Sequence, residues 1–195
     1  LGPSGHGAHR FRVGVGGGLT GHAVADRLMA EPATGRPDRA GGTLEPTETD
    51  LHRAVATVDD PEYPGISIVD LGLLESLQID PDGAVTVGLI PTFSGCPALA
   101  VIADDVLAAV SAVPGVSVAE VVWLPEPAWS ADRISHEARV GLADSFTVAV
   151  LIGTEPARCP RCGGPTEEQS MFGPSRCRAV HRCPSCSETV EVVRA

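Results

Sequence analysis

Residues 67–110 read "SIVDLGLLESLQIDPDGAVTVGLIPTFSGCPALAVIADDVLAAV", and the fold turns on how they are divided. "AVTVGLI" (84–90) is apolar and rich in β-branched residues. "PDG" (81–83) is a tight turn that joins it to a strand within "SIVDLGLLESLQID" (67–80), so the two predict an antiparallel hairpin. After Cys96 the period changes. Leu99, Ile102, Val106, Leu107 and Val110 fall on one stripe with Asp104 and Asp105 off it, the pattern of an amphipathic helix. "PTFSGCPA" (91–98) is the joint. Pro97 suits the first helical position, which leaves Cys96 at the N-cap. There the helix dipole and free N–H groups favour thiolate, the form of cysteine that binds metal or attacks. Thr92 and Ser94 can hydrogen-bond the loop. The competing role for Cys96 is a small buried hydrophobe.

Working outward, "PTETDLHRAVATV" (46–58) predicts a helix capped by Thr47 or Thr49, with Leu51, Ala54, Val55 and Val58 on its apolar face. "DPEYPG" (60–65) reads as a loop. "PGVSVAEVVWL" (114–124) reads as a third strand and "SADRISHEARVGL" (130–142) as a helix capped by Ser130. Residues 46–146 therefore predict a small α-β-β-α-β-α sandwich. Residues 147–157, which take in all of "FTVAVLIG" (146–153) but its first residue, read as a linker or an added strand. Residues 1–45 read as a disordered tail rich in Gly and Pro. Gly16, Gly18 and Gly21 match a dinucleotide fingerprint there, but the buried strands it requires are missing from the pattern.

The C-terminal stretch 158–195 carries the strongest chemical signal. Cys159 and Cys162, then Cys183 and Cys186, form two C-x-x-C pairs separated by 20 residues, the pattern of a metal ribbon. Two such knuckles complete a tetrahedron of sulfur ligands, and a module this short needs the metal to fold. Zinc is the expected ion and a rubredoxin-like iron the alternative; disulfides are disfavoured without a sign of export. Cys177 is left over, as a packed core cysteine of the ribbon, a ligand in an alternative set or part of an iron–sulfur site. His181 stands nearby and could also compete for metal.

All 14 basic residues are Arg, since the chain has no Lys, and this excludes Schiff-base and Walker-A chemistry. Residues 46–157 hold 3 Arg against 17 acidic residues, a net charge of −14, while residues 158–195 carry +2. Such a core repels phosphate backbones, so nucleic-acid binding would rest on the ribbon alone. No Glu-x-x-His pair of a di-iron carboxylate site occurs. No apolar run is long enough to span a membrane and no apolar h-region follows Arg10 and Arg12, so the cytoplasm is the expected location.

"DDPEYPGISIVDLGLL" (59–74), "PTFSGCPA" (91–98) and "PAWSADRISHEAR" (127–139), followed by the paired knuckles, resemble the D-subunit family of the bacterial phenylacetyl-CoA epoxidase system. The core is similar to the MIP18-type (SufT-like) domain of iron–sulfur assembly factors. The resemblance covers about residues 47–143 and 158–192. Arg133 and Ile134 stand where the family has an aromatic and a Met, and Ala138 where it has Gly, departures that bear on the docking surface more than on the fold. The resemblance implies a non-catalytic accessory subunit that assists maturation by delivering iron or an iron–sulfur unit. It implies the oxygenase or reductase subunits as partners and leaves a homodimer open. It also brings Asp60, Glu62 and Asp70 to the end of the sheet where Cys96 lies, as hard ligands or proton acceptors around a transient iron or iron–sulfur unit. The residues by themselves leave other roles open: Asp70 as a turn cap, and Asp60 and Glu62 as a solvated loop. Two rival readings are a nucleic-acid-binding zinc ribbon and a Cys96-dependent enzyme. The second needs a base, and the core offers only His52 and His136.

Overall fold

The computed structural model describes residues 10–14 and 45–193. Its first body is a four-stranded sheet of order β1-β6-β5-β4, formed by β1 (Arg10–Gly14), β4 (Leu74–Ile79), β5 (Ala84–Leu89) and β6 (Val118–Trp123). β4 and β5 are the predicted antiparallel hairpin, closed through Gly83, whose N–H donates to the Asp80 carbonyl at 2.9 Å. Helix α2 (Ala98–Ser111) carries the chain across to β6, which runs parallel to β5. Val85, Val87 and Leu89 of β5 and Ala119, Val121 and Trp123 of β6 alternate into one core. Helix α1 (Glu48–Val55) packs on both α2 and β4, so the two helices cover the same face. Thr47 is the α1 cap, its hydroxyl oxygen accepting the Asp50 N–H at 3.2 Å.

Three expectations change. Arg10–Gly14 lies in the stretch read as a disordered tail, yet pairs antiparallel with β6. It serves as an edge strand, for which one apolar side chain, Phe11 against the core, suffices. The rest of that stretch, with Gly16, Gly18 and Gly21, lies outside the described residues. "DPEYPG" is not a bare loop: β2 (Asp59–Asp60) and β3 (Tyr63–Ser67) form a two-stranded ribbon across it. The last core helix, α3 (His136–Phe146), is capped by Ser135 rather than Ser130, because residues 131–133 form a separate 3₁₀ turn.

The second sheet has order β7-β10-β9-β8, from β7 (Val148–Val150), β8 (Glu167–Ser170), β9 (Arg178–Arg182) and β10 (Thr189–Val193). "FTVAVLIG" thus supplies a strand, parallel to β10. Val148 and Val193 on this sheet are buried in the core of the first body. The separate ribbon core is small and includes Cys159 and Cys183 themselves.

The "DLG" turn is fixed by the segment that follows β6. The Asp70 carbonyl accepts the Ser135 N–H at 2.8 Å, the Leu71 carbonyl accepts the Trp129 indole N–H at 3.0 Å, and the Gly72 carbonyl accepts Arg133 Nε at 2.8 Å. Gly72 has φ +74°, and a Cβ there would lie 2.4 Å from Arg133 Cβ. Arg133 is therefore an internal clamp, and it also pairs with Glu75 at 2.8 Å.

Gly72→Ala is expected to destabilise by roughly 2–5 kcal/mol, combining a left-handed backbone with a clash. Gly65→Ala, at φ +88° with nothing within 4 Å, carries the backbone part alone. Urea midpoints of the two variants separate these effects. Trp129→Phe leaves the buried Leu71 carbonyl without its donor and is expected to cost about 1–3 kcal/mol by the same measurement.

Candidate functional site

Each C-x-x-C pair folds into the same knuckle. In the first, the Gly163 N–H donates to the Cys159 carbonyl at 2.8 Å, and Gly163 has φ +73°. In the second, the Ser187 N–H donates to the Cys183 carbonyl at 2.8 Å, and Ser187 has φ +62°. The knuckles face each other. Cys159 and Cys186 sulfurs are 3.7 Å apart, Cys162 and Cys183 sulfurs 3.5 Å, and all four lie within 4.8 Å. A tetrahedral ion with metal–sulfur bonds of about 2.3 Å needs S···S edges of about 3.8 Å. The donor set therefore fits a metal, and the separations are far outside bonding range for a disulfide. Cys183 is buried, which raises its pKa, yet N–H groups of Cys186 and Ser185 and the neighbouring sulfurs bring it down to about 6. His181 is not part of the cluster; its Nδ1 lies 3.0 Å from the Thr166 hydroxyl.

A second feature lies where the two sheets meet. A cavity of about 40 Å³ is bordered by Asp60, Glu62, Tyr63, Thr92, Cys96 and Cys177, with a floor that includes Leu99, Ile102, Trp129 and Val193. Cys96 is half-buried. It stands one residue further from the helix than its sequence suggests: Pro97, with φ −65° and ψ −21°, is the capping residue and Ala98 the first helical one. The Cys96 carbonyl accepts the Leu99 N–H at 3.3 Å, so the first turn is tightened rather than capped by a side chain. A Cβ at Gly95 would approach the Phe93 ring to 2.8 Å, so a larger residue there would displace that ring.

The ribbon reaches this site through four consecutive residues. The Ser175 hydroxyl donates to Glu62. The Arg176 guanidinium lies over the Phe93 ring at 5.9 Å. Cys177 borders the cavity opposite the core loops. Arg178, 8% exposed, pairs with Glu62 at 3.0 Å and with Glu191 at 2.6 Å, and lies 5.2 Å over the Tyr63 ring. Burial pushes the Cys177 thiol up from its ordinary range; Arg178 opposes this, and Glu62 and Cys96 add to the rise. Burial likewise raises Asp60, against the hydrogen bond its carboxylate accepts from the Glu62 N–H at 2.8 Å.

Among the residues singled out in the sequence, Cys96, Asp60, Glu62 and Thr92 meet at the cavity, and Cys177 joins them there instead of the ribbon knuckles. Glu62 is engaged by Arg178 and Ser175. Asp70 lies outside the lining and accepts the Ser67 hydroxyl at 2.8 Å, while its own N–H donates to Ser67 Oγ at 3.0 Å, a turn cap. Ser94 is exposed and outside the lining, as are His52 and His136. Tyr63, Arg176 and Arg178 escape a sequence reading. Their one advance signal is charge, an Arg-rich "SRCR" in a chain whose core loop reads "DDPE".

The chain matches the iron–sulfur cluster assembly protein family over residues 48–123 and the PaaD zinc beta ribbon domain over residues 144–194. It is 31% identical over 155 residues to an Escherichia coli (strain K12) protein provisionally named as the D subunit of 1,2-phenylacetyl-CoA epoxidase, covering 75% of this chain and 92% of that one. An Fe-S protein maturation auxiliary factor of Porphyromonas gingivalis is 40% identical over 96 residues, 49% of this chain and 90% of that one. A crystal structure of a domain of unknown function from Bacillus anthracis is 34% identical, covers 50% of this chain and 92% of its own, and superposes with a TM-score of 0.47. The order of motifs, the four-sulfur ribbon and the likeness to the Escherichia coli protein along most of the chain agree: it belongs to the D-subunit family of phenylacetyl-CoA epoxidase systems, an iron–sulfur assembly domain with a C-terminal PaaD-type ribbon.

Proposed function

We propose that this chain is a non-catalytic accessory subunit that assists maturation of an aromatic CoA-thioester epoxidase, handling iron or an iron–sulfur unit as cargo at Cys96. The observation that carries this reading is the half-buried Cys96, which lines one cavity with Asp60 at the junction of an assembly domain and a PaaD-type ribbon. A soft thiolate and a hard carboxylate together suit ferrous iron better than either suits it alone. The cavity, at about 40 Å³, has room for an ion with its water. The oxygenase or reductase subunits are the clients, and the location is the cytoplasm; among the described residues no helix is long and apolar enough to cross a membrane.

The ribbon metal is zinc on this reading. Four sulfurs around one point leave no open position for a substrate, which is the arrangement of a structural zinc site. The small ribbon core supports the same role, since bound zinc contributes about 10–16 kcal/mol to the folding of such modules. Two rival readings find less support. Residues 158–195 carry a net charge of only +2 beside a core of −14, and Arg178 is buried against Glu62 and Glu191 rather than offered to a nucleic acid. A Cys96 nucleophile would want a base, and neither His52 nor His136 borders its cavity.

Partner subunits purified anaerobically from cells with the wild-type chain, with Cys96→Ala and without the chain test the main reading. Iron content and epoxidase activity are expected to fall together in the second and third cases, and full loading in both would overturn it. For the ribbon, Cys183→Ser is expected to remove one zinc equivalent by elemental analysis and to open residues 144–193 to limited proteolysis.

A further inference from the structure

We infer that the turn between β8 and β9 is a docking tip, whose Phe172 side chain, with Met171 beside it, seats in an apolar pocket rimmed by basic side chains on the client subunit. This rests on the reading of the chain as a maturation subunit and names the surface by which it holds its client near the Cys96 cavity.

Three independent observations converge. The first is exposure. Phe172 is 62% exposed and Met171 53%, the two most exposed large apolar side chains among the described residues, and they are consecutive. A lone exposed apolar residue is ordinary, whereas an aromatic with a methionine on one turn has the composition of an interface anchor. The second is rigidity. The Ser170 hydroxyl donates to the Phe172 carbonyl at 2.8 Å and accepts the Phe172 N–H at 3.2 Å, so one side chain holds both main-chain groups of the exposed residue. The Gly173 N–H donates to the Arg178 carbonyl at 2.8 Å and closes the turn onto the start of β9. An anchor already held in one shape loses little conformational entropy on docking. The third is place. The turn continues through Ser175, Arg176 and Arg178, which fasten it to Glu62 and Phe93 of the core, and Cys177 among them borders the same cavity as Cys96. A partner seated on Phe172 is therefore held against the segment that borders the cavity.

Charge selects the occupant. The chain carries a net −11 and residues 46–157 carry −14, while β8, which leads into the tip, exposes Glu167 and Glu168. Two copies of such a surface repel each other, and an anionic lipid surface or a nucleic acid is repelled as well. A protein with an apolar pocket inside a basic rim meets both the tip and the acids around it.

The test measures binding of the full, zinc-loaded chain to the separately purified oxygenase and reductase subunits of its epoxidase system. Wild type is expected to bind one of them, and to associate more slowly as salt is raised. Phe172→Ala and Phe172→Asp are expected to weaken that complex by about 30-fold or more, with zinc content and urea midpoint unchanged. Hydroxyl-radical footprinting of the wild-type complex is expected to protect Met171 and Phe172, while Ile79, exposed at the end of β4, stays reactive. A Phe172→Ala variant that binds like wild type, a footprint that leaves Met171 and Phe172 open, or association indifferent to salt would overturn this inference and leave the function proposed above intact. Self-association, or binding to phosphatidylcholine vesicles, that Phe172→Ala abolishes would overturn it too, by giving the tip to a second copy or to lipid. If wild type binds neither subunit, the tip and the reading of those subunits as clients fall together.

Discussion

Three successive backbone carbonyls, those of Asp70, Leu71 and Gly72, are each held by a different donor from residues 129–135, and the arrangement of the site follows from that clamp. A turn that leaves a buried strand must satisfy its backbone or lose stability. Here the donors are a main-chain N–H, an indole and a guanidinium, and together they tie the segment after β6 to the turn before β4. Trp129 and Ile134 are thereby brought to the floor of the cavity, next to Leu71 and Leu73. The Asp70 side chain, engaged with Ser67, shapes the turn from the other side. The "DLG" motif thus works as scaffold, and Asp60 and Cys96 border the cavity from other segments.

The second constraint is electrostatic. Residues 46–157 carry a net −14, and such a surface repels itself unless cations meet it. The ribbon supplies them at one place. Arg178 is buried between Glu62 and Glu191 and under the Tyr63 ring, so its charge is neutralised from both bodies at once. The two carboxylates meet the Nη groups of this buried guanidinium while its Nε finds no hydrogen-bond partner among the described residues, and removing either carboxylate would leave charge stranded in the interface. This makes the docking of ribbon on core specific in register. Val148 and Val193 add apolar burial, and Arg178 determines which residues end beside the cavity.

Much of this was legible in the sequence because it is local. The hairpin of β4 and β5, the α2 stripe and the four-cysteine ribbon each depend on spacing within a short window. What the sequence withheld depends on contacts between distant residues. Arg10–Gly14 becomes a strand only because β6 offers an open edge, and nothing in "RFRVG" announces that. The cap of α2 falls on Pro97 because the first turn closes in 3₁₀ fashion through the Cys96 carbonyl, a one-residue difference that spacing does not resolve. Cys177 reads in the sequence as a neighbour of the knuckles, its nearest sulfurs along the chain. The structure turns it the other way, since β9 runs from Arg178 toward the metal site and leaves Cys177 at the far end, against the core.

That last geometry gives a physical reason for joining this ribbon to this assembly domain in one chain. The contacts of Ser175, Arg176 and Arg178 with the core are made within one chain, so the ribbon docks at a high effective concentration instead of by diffusion. The connection is short, because β7 follows α3 directly and already belongs to the ribbon sheet. The four-sulfur knuckles lie at one end of β9 and Cys177 at the other, so a metal that rigidifies the ribbon also fixes the direction in which β9 leaves it. The four-cysteine cluster and the residues docked on the core are therefore joined through a single strand.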